Sequence, residues 1–243
     1  GRGKATLADL RTSGKSDVMV RRAWEYRVVD SYTLNSYGKP ALTLQTLEGL
    51  LGPDLMREVF RTYARRFRFA HPTTEDLMAT VDEVTGRDYR WFFDETFFSS
   101  DLCDYGVEVA NRETRVLVGY TDGLAFTEPR KNAKPADRFD AEVTVRRLGE
   151  VRLPVEVLVE FADGTKKRET WDGKDRWRRF RYPGGPKVVH AVVDPEGRIA
   201  IDVNPSNNAW REEKGLAARA ASKWSVRFLL WLQNLLELHS VLG

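Results

Sequence analysis

Two tyrosines five residues apart, Tyr32 and Tyr37, are the side chains whose type and spacing most readily do chemistry. They stand in Ser31-Tyr32-Thr33-Leu34-Asn35-Ser36-Tyr37-Gly38-Lys39-Pro40, directly before an apolar segment from Ala41 to Leu51 that stops at Gly52-Pro53. A phenol with an ordinary pKa of about 10 keeps its proton at neutral pH and serves as a hydrogen-bond donor. Where a loop turns into a buried helix, Tyr37 has two readings. It is a phenol pointing into a cleft, or it is a core tyrosine whose hydroxyl caps the loop.

Other chemistry has less support. The histidines, His71, His190 and His239, are far apart and none sits in H-E-x-x-H. Each reads as a solvent-facing or structurally satisfied side chain. Cys103 is the only cysteine, so neither a thiolate zinc site nor an intrachain disulfide is available. No G-x-x-x-x-G-K-[ST], G-x-G-x-x-G or G-x-S-x-G is present, which leaves phosphate cradles and a hydrolase elbow without support.

The elements that position the tyrosines are helical. The stretch up to about Asp17 reads as polar loop. Val18 to Val29 is read as a helix, although its apolar residues at 20, 23, 24 and 28 suit one poorly. After Ala41–Leu51, Pro53 starts a further helix to about Phe67, with Leu55, Val59, Tyr63 and Phe67 spaced by four. Thr73 and Asp76 form a capping-box pattern for a helix to Thr85, stopped by Gly86. Asp88 caps a short aromatic helix, Tyr89 to Phe98, whose rings are expected to be core.

From Tyr105 the period falls to two. Expected strands are Gly106–Ala110, Arg115–Tyr120, Asp140–Arg147, Val151–Phe161, Lys166–Trp171, Trp177–Tyr182, Val188–Val193 and Arg198–Val203. Leu148-Gly149-Glu150, Asp163-Gly164 and Asp172-Gly173 are expected as hairpin connections. Eight short strands point to an antiparallel β-sandwich. After 204–208 a long amphipathic helix is expected, with Ala217, Ala221, Trp224, Phe228, Trp231, Leu235, Leu238 and Leu242 in a heptad-like stripe. Residues 215–242 are interrupted by charges and make a poor membrane span. They dock on the protein, pair with another copy, or lie on a membrane surface. The expected organisation is therefore multidomain α + β: 1–103 helical, 104–205 an Ig- or fibronectin-like sandwich, and 206–243 the C-terminal helix.

Composition sets the outer limits. Of 243 residues, 39 are Lys or Arg and 36 Asp or Glu, a net charge of +3 that gives no case for nucleic acid. The arginines and aromatics at 176–182 read as solvent-facing strand residues. No apolar core of signal length follows Gly1-Arg2-Gly3-Lys4 and there is no starting methionine. The chain is expected to begin inside a larger protein, so this says nothing of where that protein resides. A cytoplasmic or membrane-associated setting is expected.

The run Tyr37-Gly38-Lys39-Pro40-Ala41-Leu42-Thr43-Leu44-Gln45-Thr46-Leu47-Glu48-Gly49-Leu50-Leu51-Gly52 resembles the zinc aminopeptidases of the aminopeptidase N and leukotriene-hydrolase type, the gluzincins. Tyr63 and Phe67, His71-Pro72-Thr73-Thr74-Glu75-Asp76-Leu77, and Gly86-Arg87-Asp88 before Trp91-Phe92-Phe93 follow in the family's order. The resemblance covers residues 18–103. It implies the C-terminal part of a thermolysin-like catalytic domain and, after it, the family's β-sandwich.

It further implies an intact parent that hydrolyses N-terminal peptide bonds with zinc held by H-E-x-x-H and a later glutamate, none of which this chain contains. Alone the chain would bind no metal and be inactive. Tyr37 falls on the tyrosine that stabilises the tetrahedral oxyanion, and Tyr32 on a second active-site tyrosine of some members. The implied partner is a peptide substrate. The alternative is a non-catalytic scaffold in which the sandwich and the C-terminal helix mediate assembly.

Overall fold

The tyrosine segment is helix rather than loop. Val29–Thr33 forms a short α-helix (α1), Leu34–Gly38 a π turn, and Lys39–Leu51 an α-helix (α2), with no break between them. In this computed structural model the described residues are 7, 9–12, 17–114 and 138–212. Those up to Trp210 form one compact unit, and a second begins at Arg211.

The π turn has two local causes. Pro40 has no N–H to give to the carbonyl of Ser36, and its ring crowds that carbonyl in a regular α-helix. Asn35 Nδ2 meanwhile donates to the Ser31 carbonyl at 3.0 Å, the group that an α-helical N–H of residue 35 would take. The Lys39 N–H reaches back five residues to the Leu34 carbonyl, and the ladder resumes.

Residues 18–28, expected as helix, are mostly extended. They hold one 3₁₀ turn, Ala23–Glu25, flanked by Arg22 and Tyr26 in β conformation. The segment wraps around the buried Asp17 carboxylate, which takes up polar groups that a helix would have kept for itself. The stretch before Asp17, expected as polar loop, is helical at 9–12 and buries Leu10.

The later helices match their signals closely. Gly52 at φ 86° turns the chain into α3, Pro53–Arg66, which buries Met56 and Val59 and leaves Leu55 and Phe60 exposed. The Thr73–Asp76 box opens α4, Thr74–Thr85, and Gly86 at φ 65° closes it. The aromatic helix α5 spans Arg90–Thr96; Phe92, Phe93 and Phe97 are core, while Trp91 stays partly exposed.

Among the described residues seven strands follow: β1 Tyr105–Glu113, β2 Phe139–Arg147, β3 Val155–Phe161, β4 Lys166–Trp171, β5 Trp177–Gly185, β6 Val188–Val193 and β7 Ala209–Arg211. They make two sheets, ordered β1-β2-β5 and β4-β3-β6-β7. The fold is thus mixed α+β, N-terminal helices followed by two antiparallel sheets. Val155, Val157 and Val159 alternate inward on β3, as do Val143 and Val145 on β2, and all join one buried cluster.

Three expectations about this half are corrected. Only Asp163-Gly164 is a hairpin, with Gly164 at φ 85°. Residues 148–154 and 172–176 instead carry the chain from one sheet to the other, because β2 and β5 lie in one sheet and β3 and β4 in the other. Arg147 pins both crossings. Its buried guanidinium donates to the carbonyls of Gly149 and Glu150 (2.9 Å each), Gly173 (3.0 Å) and Lys174 (3.3 Å).

Arg198–Val203 is not a strand. Ile199, Ile201 and Val203 alternate inward, but the segment makes a single bridge, Asp202 with Cys103. Finally, the chain after 204–208 begins as β7 rather than as helix. The expected strand Arg115–Tyr120 and the expected helix over 215–242 lie outside the described residues.

The helices and sheets meet along α2 and α5. Thr46 Oγ1 accepts the Ile201 N–H at 3.2 Å, and Gly49 lies against the Arg198 backbone. Glu95 on α5 pairs with Arg152 at 2.5 Å and accepts its N–H at 3.2 Å.

Candidate functional site

The π turn brings Tyr32 and Tyr37 together. Their rings meet edge to face with centroids 6.4 Å apart, and Tyr26 stacks edge-on against Tyr32 at 5.5 Å. Tyr37 is 67% exposed, so it is not a core tyrosine capping a loop. The Tyr32 hydroxyl shares a hydrogen bond with that of Tyr37. This contact, followed by the repulsion a Tyr37 phenolate would exert, raises the Tyr32 pKa above its ordinary value.

Two buried anchors hold the turn, and neither stood out in the sequence. Asp17 accepts Ser31 Oγ at 2.6 Å and the Arg27 N–H at 3.3 Å, and it pairs with Arg21. Burial pushes its carboxyl up, but the Ser31 and Arg27 hydrogen bonds and the Arg21 and Arg27 charges outweigh this and hold it below the usual value. Ser31 and Asn35 continue the chain of bonds into the π turn.

The second anchor is Lys39, whose Nζ donates to the Ser99 carbonyl at 3.1 Å. Burial lowers its pKa to about 8, against the pull of Asp101. Only the Asx/Ser spacing around residue 31 and a charge inside an apolar helix hinted at these roles.

The described residues do not fit a zinc ion. Among them no three His, Cys, Asp or Glu side chains converge. His71 is exposed, His190 sits on β6 with Nδ1 3.4 Å from Glu160, and His239 lies outside the described residues. The Cys103 thiol is fully buried, which raises its pKa well above the ordinary value, and Asp202 and Asp104 raise it further.

Two arginines of β5 and the one before it have carboxylate partners: Arg179 and Arg181 pair with Glu142 on β2 at 3.0 and 3.4 Å, and Arg176 pairs with Glu150 at 2.5 Å. Among the described residues no helix is long and apolar enough to cross a membrane.

No family model matches the chain, and no curated protein matches it. Among solved structures, the crystal structure of Legionella pneumophila aminopeptidase A in complex with aspartic acid is similar to it at TM-score 0.48 and 11% identity. The match covers 80% of this chain and 21% of that one. At that score and identity the likeness carries no conclusion about chemistry.

Proposed function

We propose that this chain is the C-terminal portion of a zinc-dependent, aminopeptidase-like metallopeptidase, to which it contributes one wall of the substrate cleft and the Tyr37 hydroxyl. The observation that carries the reading is the exposure of the tyrosine segment. Trp24 (76%), Val28 (57%), Val29 (78%) and Tyr37 (67%) all present apolar surface to solvent within residues 24–37. Exposed apolar side chains gathered in this way mark a surface that another part of a protein covers. The run from Tyr37 to Gly52 supplies the family pattern at the same place.

The chemistry follows from the phenol pair. Attack on a peptide carbonyl turns its oxygen into an oxyanion, and a preorganised donor facing that oxygen lowers the barrier. Tyr37, exposed on the turn, is that donor. Tyr32, edge to face against it with centroids 6.4 Å apart, fixes the orientation of the phenol. The zinc of such an enzyme is held elsewhere in the longer protein.

The test is Tyr37→Phe in the full-length protein, assayed on an aminoacyl-arylamide. The expected outcome is a fall in kcat of about 10²–10³, the usual loss for one oxyanion donor, with zinc content unchanged. An unaltered kcat rejects the role.

The same exposed apolar face also suits a non-catalytic assembly module. The sequence preceding Gly1 separates the two readings. H-E-x-x-H with a glutamate further along belongs to the first, and its absence leaves the second.

A further inference from the structure

Among the described residues β5 ends the three-stranded sheet and β4 ends the four-stranded one, so each has one side without a neighbouring strand. The two edges meet through their side chains. The Tyr182 hydroxyl donates to Glu169 at 3.1 Å, and Lys167 Nζ stands 5.1 Å from the Tyr182 ring.

The β5 edge has a one-sided chemistry. It carries three arginines and no Asp or Glu. Arg179 and Arg181 turn outward and are held by Glu142. Arg178, Phe180 and Tyr182 lie opposite the buried Val145, Val143 and Ala141, so they share the inner side of the strand. Arg178 is exposed, stands 6.0 Å over the Phe180 ring, and has no carboxylate in ion-pair reach among the described residues.

Lys167 completes the row. It lies opposite the buried Val159 on β3, so it too is on the inner side, and no described carboxylate pairs with it. Glu169, the acid on the same side of β4, already takes the Tyr182 proton. Arg178 and Tyr182 are four residues apart, about 13 Å along a strand. The two cations therefore stand about one four-residue step apart, with the partly buried Phe180 midway.

Cations on a free edge turn most strands away. They turn away a second copy, because two β5 edges paired antiparallel about Phe180 would set Arg179 against Arg181 on both sides. They do not turn away an acidic strand.

We propose that the β5 edge accepts an extended acidic segment of a partner protein as an added strand, in the pattern acidic-x-apolar-x-acidic. Main-chain hydrogen bonds to the edge hold the segment, and alternate side chains select it. One carboxylate pairs with Arg178, the apolar residue covers Phe180, and the second carboxylate, opposite Tyr182, meets Lys167. The pattern reads the same in both directions, so it serves a parallel or an antiparallel strand. It does not depend on the peptidase reading.

The experiment is calorimetric titration of the full-length protein at low salt with N-acetylated, C-amidated peptides. The first is Thr-Glu-Thr-Val-Thr-Glu-Thr. Its isomer, Thr-Glu-Thr-Val-Glu-Thr-Thr, puts the two acids on opposite sides of the strand. A third is the first peptide N-methylated at Val and at the Thr after it, which removes an N–H from each edge. Acetylation removes the free amine that an aminopeptidase requires, so turnover does not enter.

The first peptide is expected to bind about fivefold more tightly than the isomer, the size of one exposed ion pair. Arg178→Gln and Lys167→Gln are each expected to abolish that difference. N-methylation is expected to weaken binding by at least about tenfold, through the lost main-chain bonds. No binding of the first peptide, equal affinity for the isomer, a preference that survives Arg178→Gln, or unchanged binding after N-methylation would each overturn the proposal. Tighter binding of an oligothymidylate than of the first peptide would also overturn it, since the edge would then read charge alone.

Discussion

Gly49→Ala reverses an ordinary rule in this protein. Inside an exposed helix the change stabilises by about 1 kcal/mol, because alanine gives up less backbone entropy. In α2 an added Cβ would stand 2.3 Å from the Arg198 carbonyl oxygen, 2.8 Å from the Arg198 Cβ and 2.9 Å from its carbonyl carbon. A carbon normally approaches such an oxygen to about 3.3 Å, so helix and loop must part by about 1 Å.

The parting reaches Thr46, one turn earlier on the same helix face. Its Oγ1 accepts the Ile201 N–H at 3.2 Å, and a further ångström ends that bond with both groups buried. Overpacking costs about 1–3 kcal/mol and an orphaned buried N–H about as much again. Against the gain of about 1 kcal/mol in propensity, the expected net loss is about 1–5 kcal/mol. For a unit of this size that lowers Tm by about 2–20 °C.

Urea unfolding followed by tryptophan fluorescence and far-UV circular dichroism measures it. Gln45→Ala, exposed on the same helix, is the control and is expected within about 0.5 kcal/mol of the parent. A Gly49→Ala protein as stable as the parent, or more so, would refute the reasoning.

Two further outcomes concern buried charge. Burial raises Asp202 to about 6 despite hydrogen bonds from the Asn204 and Tyr105 N–H groups and Asn208, so the folded state favours the protonated acid. Its contribution is fully present below the unfolded value of about 4 and is lost as pH rises through 6, on the order of 3 kcal/mol. The stability difference between the parent and Asp202→Asn should therefore shift in favour of the variant between pH 4 and 7 in urea titrations; a flat difference refutes the shift. Arg147→Met takes a donor from four carbonyls, of which Gly149 keeps a second in Arg176 at 3.1 Å, and should cost at least about 3 kcal/mol in the same assay. A loss under about 1 kcal/mol would show that water or relaxation replaces the guanidinium.

The sequence disclosed elements whose signals are local and missed those decided at a distance. The Thr73–Asp76 box, Gly86, and the alternation of β3 act within a few residues, and each appears where its pattern placed it. Asp172-Gly173 looked like a hairpin because Gly173 does adopt φ 70°. Whether such a turn joins neighbours or changes sheets is settled by Arg147, 26 residues away, and nothing near the turn announces it. Likewise Ile199, Ile201 and Val203 carry a strand's alternation because they cover a core. They gain no ladder because α2, through Thr46 and Gly49, occupies the space beside them.

At the tyrosines the difficulty was one of period. In a regular α-helix residues five apart point about 140° away from each other, so Tyr32 and Tyr37 looked like partners only if the segment was a loop. Pro40 reinforced that reading, since a proline normally marks where a helix starts. In a π turn the hydrogen bonds run from residue i to i+5, and residues five apart come nearly into line. The proline and the five-residue spacing are then two signs of one structure: Pro40 forces the wider turn, and the wider turn pairs the phenols on an exposed face. A rigid helix, held at one end by Asp17 and at the other by Lys39, fixes a hydroxyl far better than a loop would. That positioning, more than the presence of a tyrosine, is what an oxyanion donor requires.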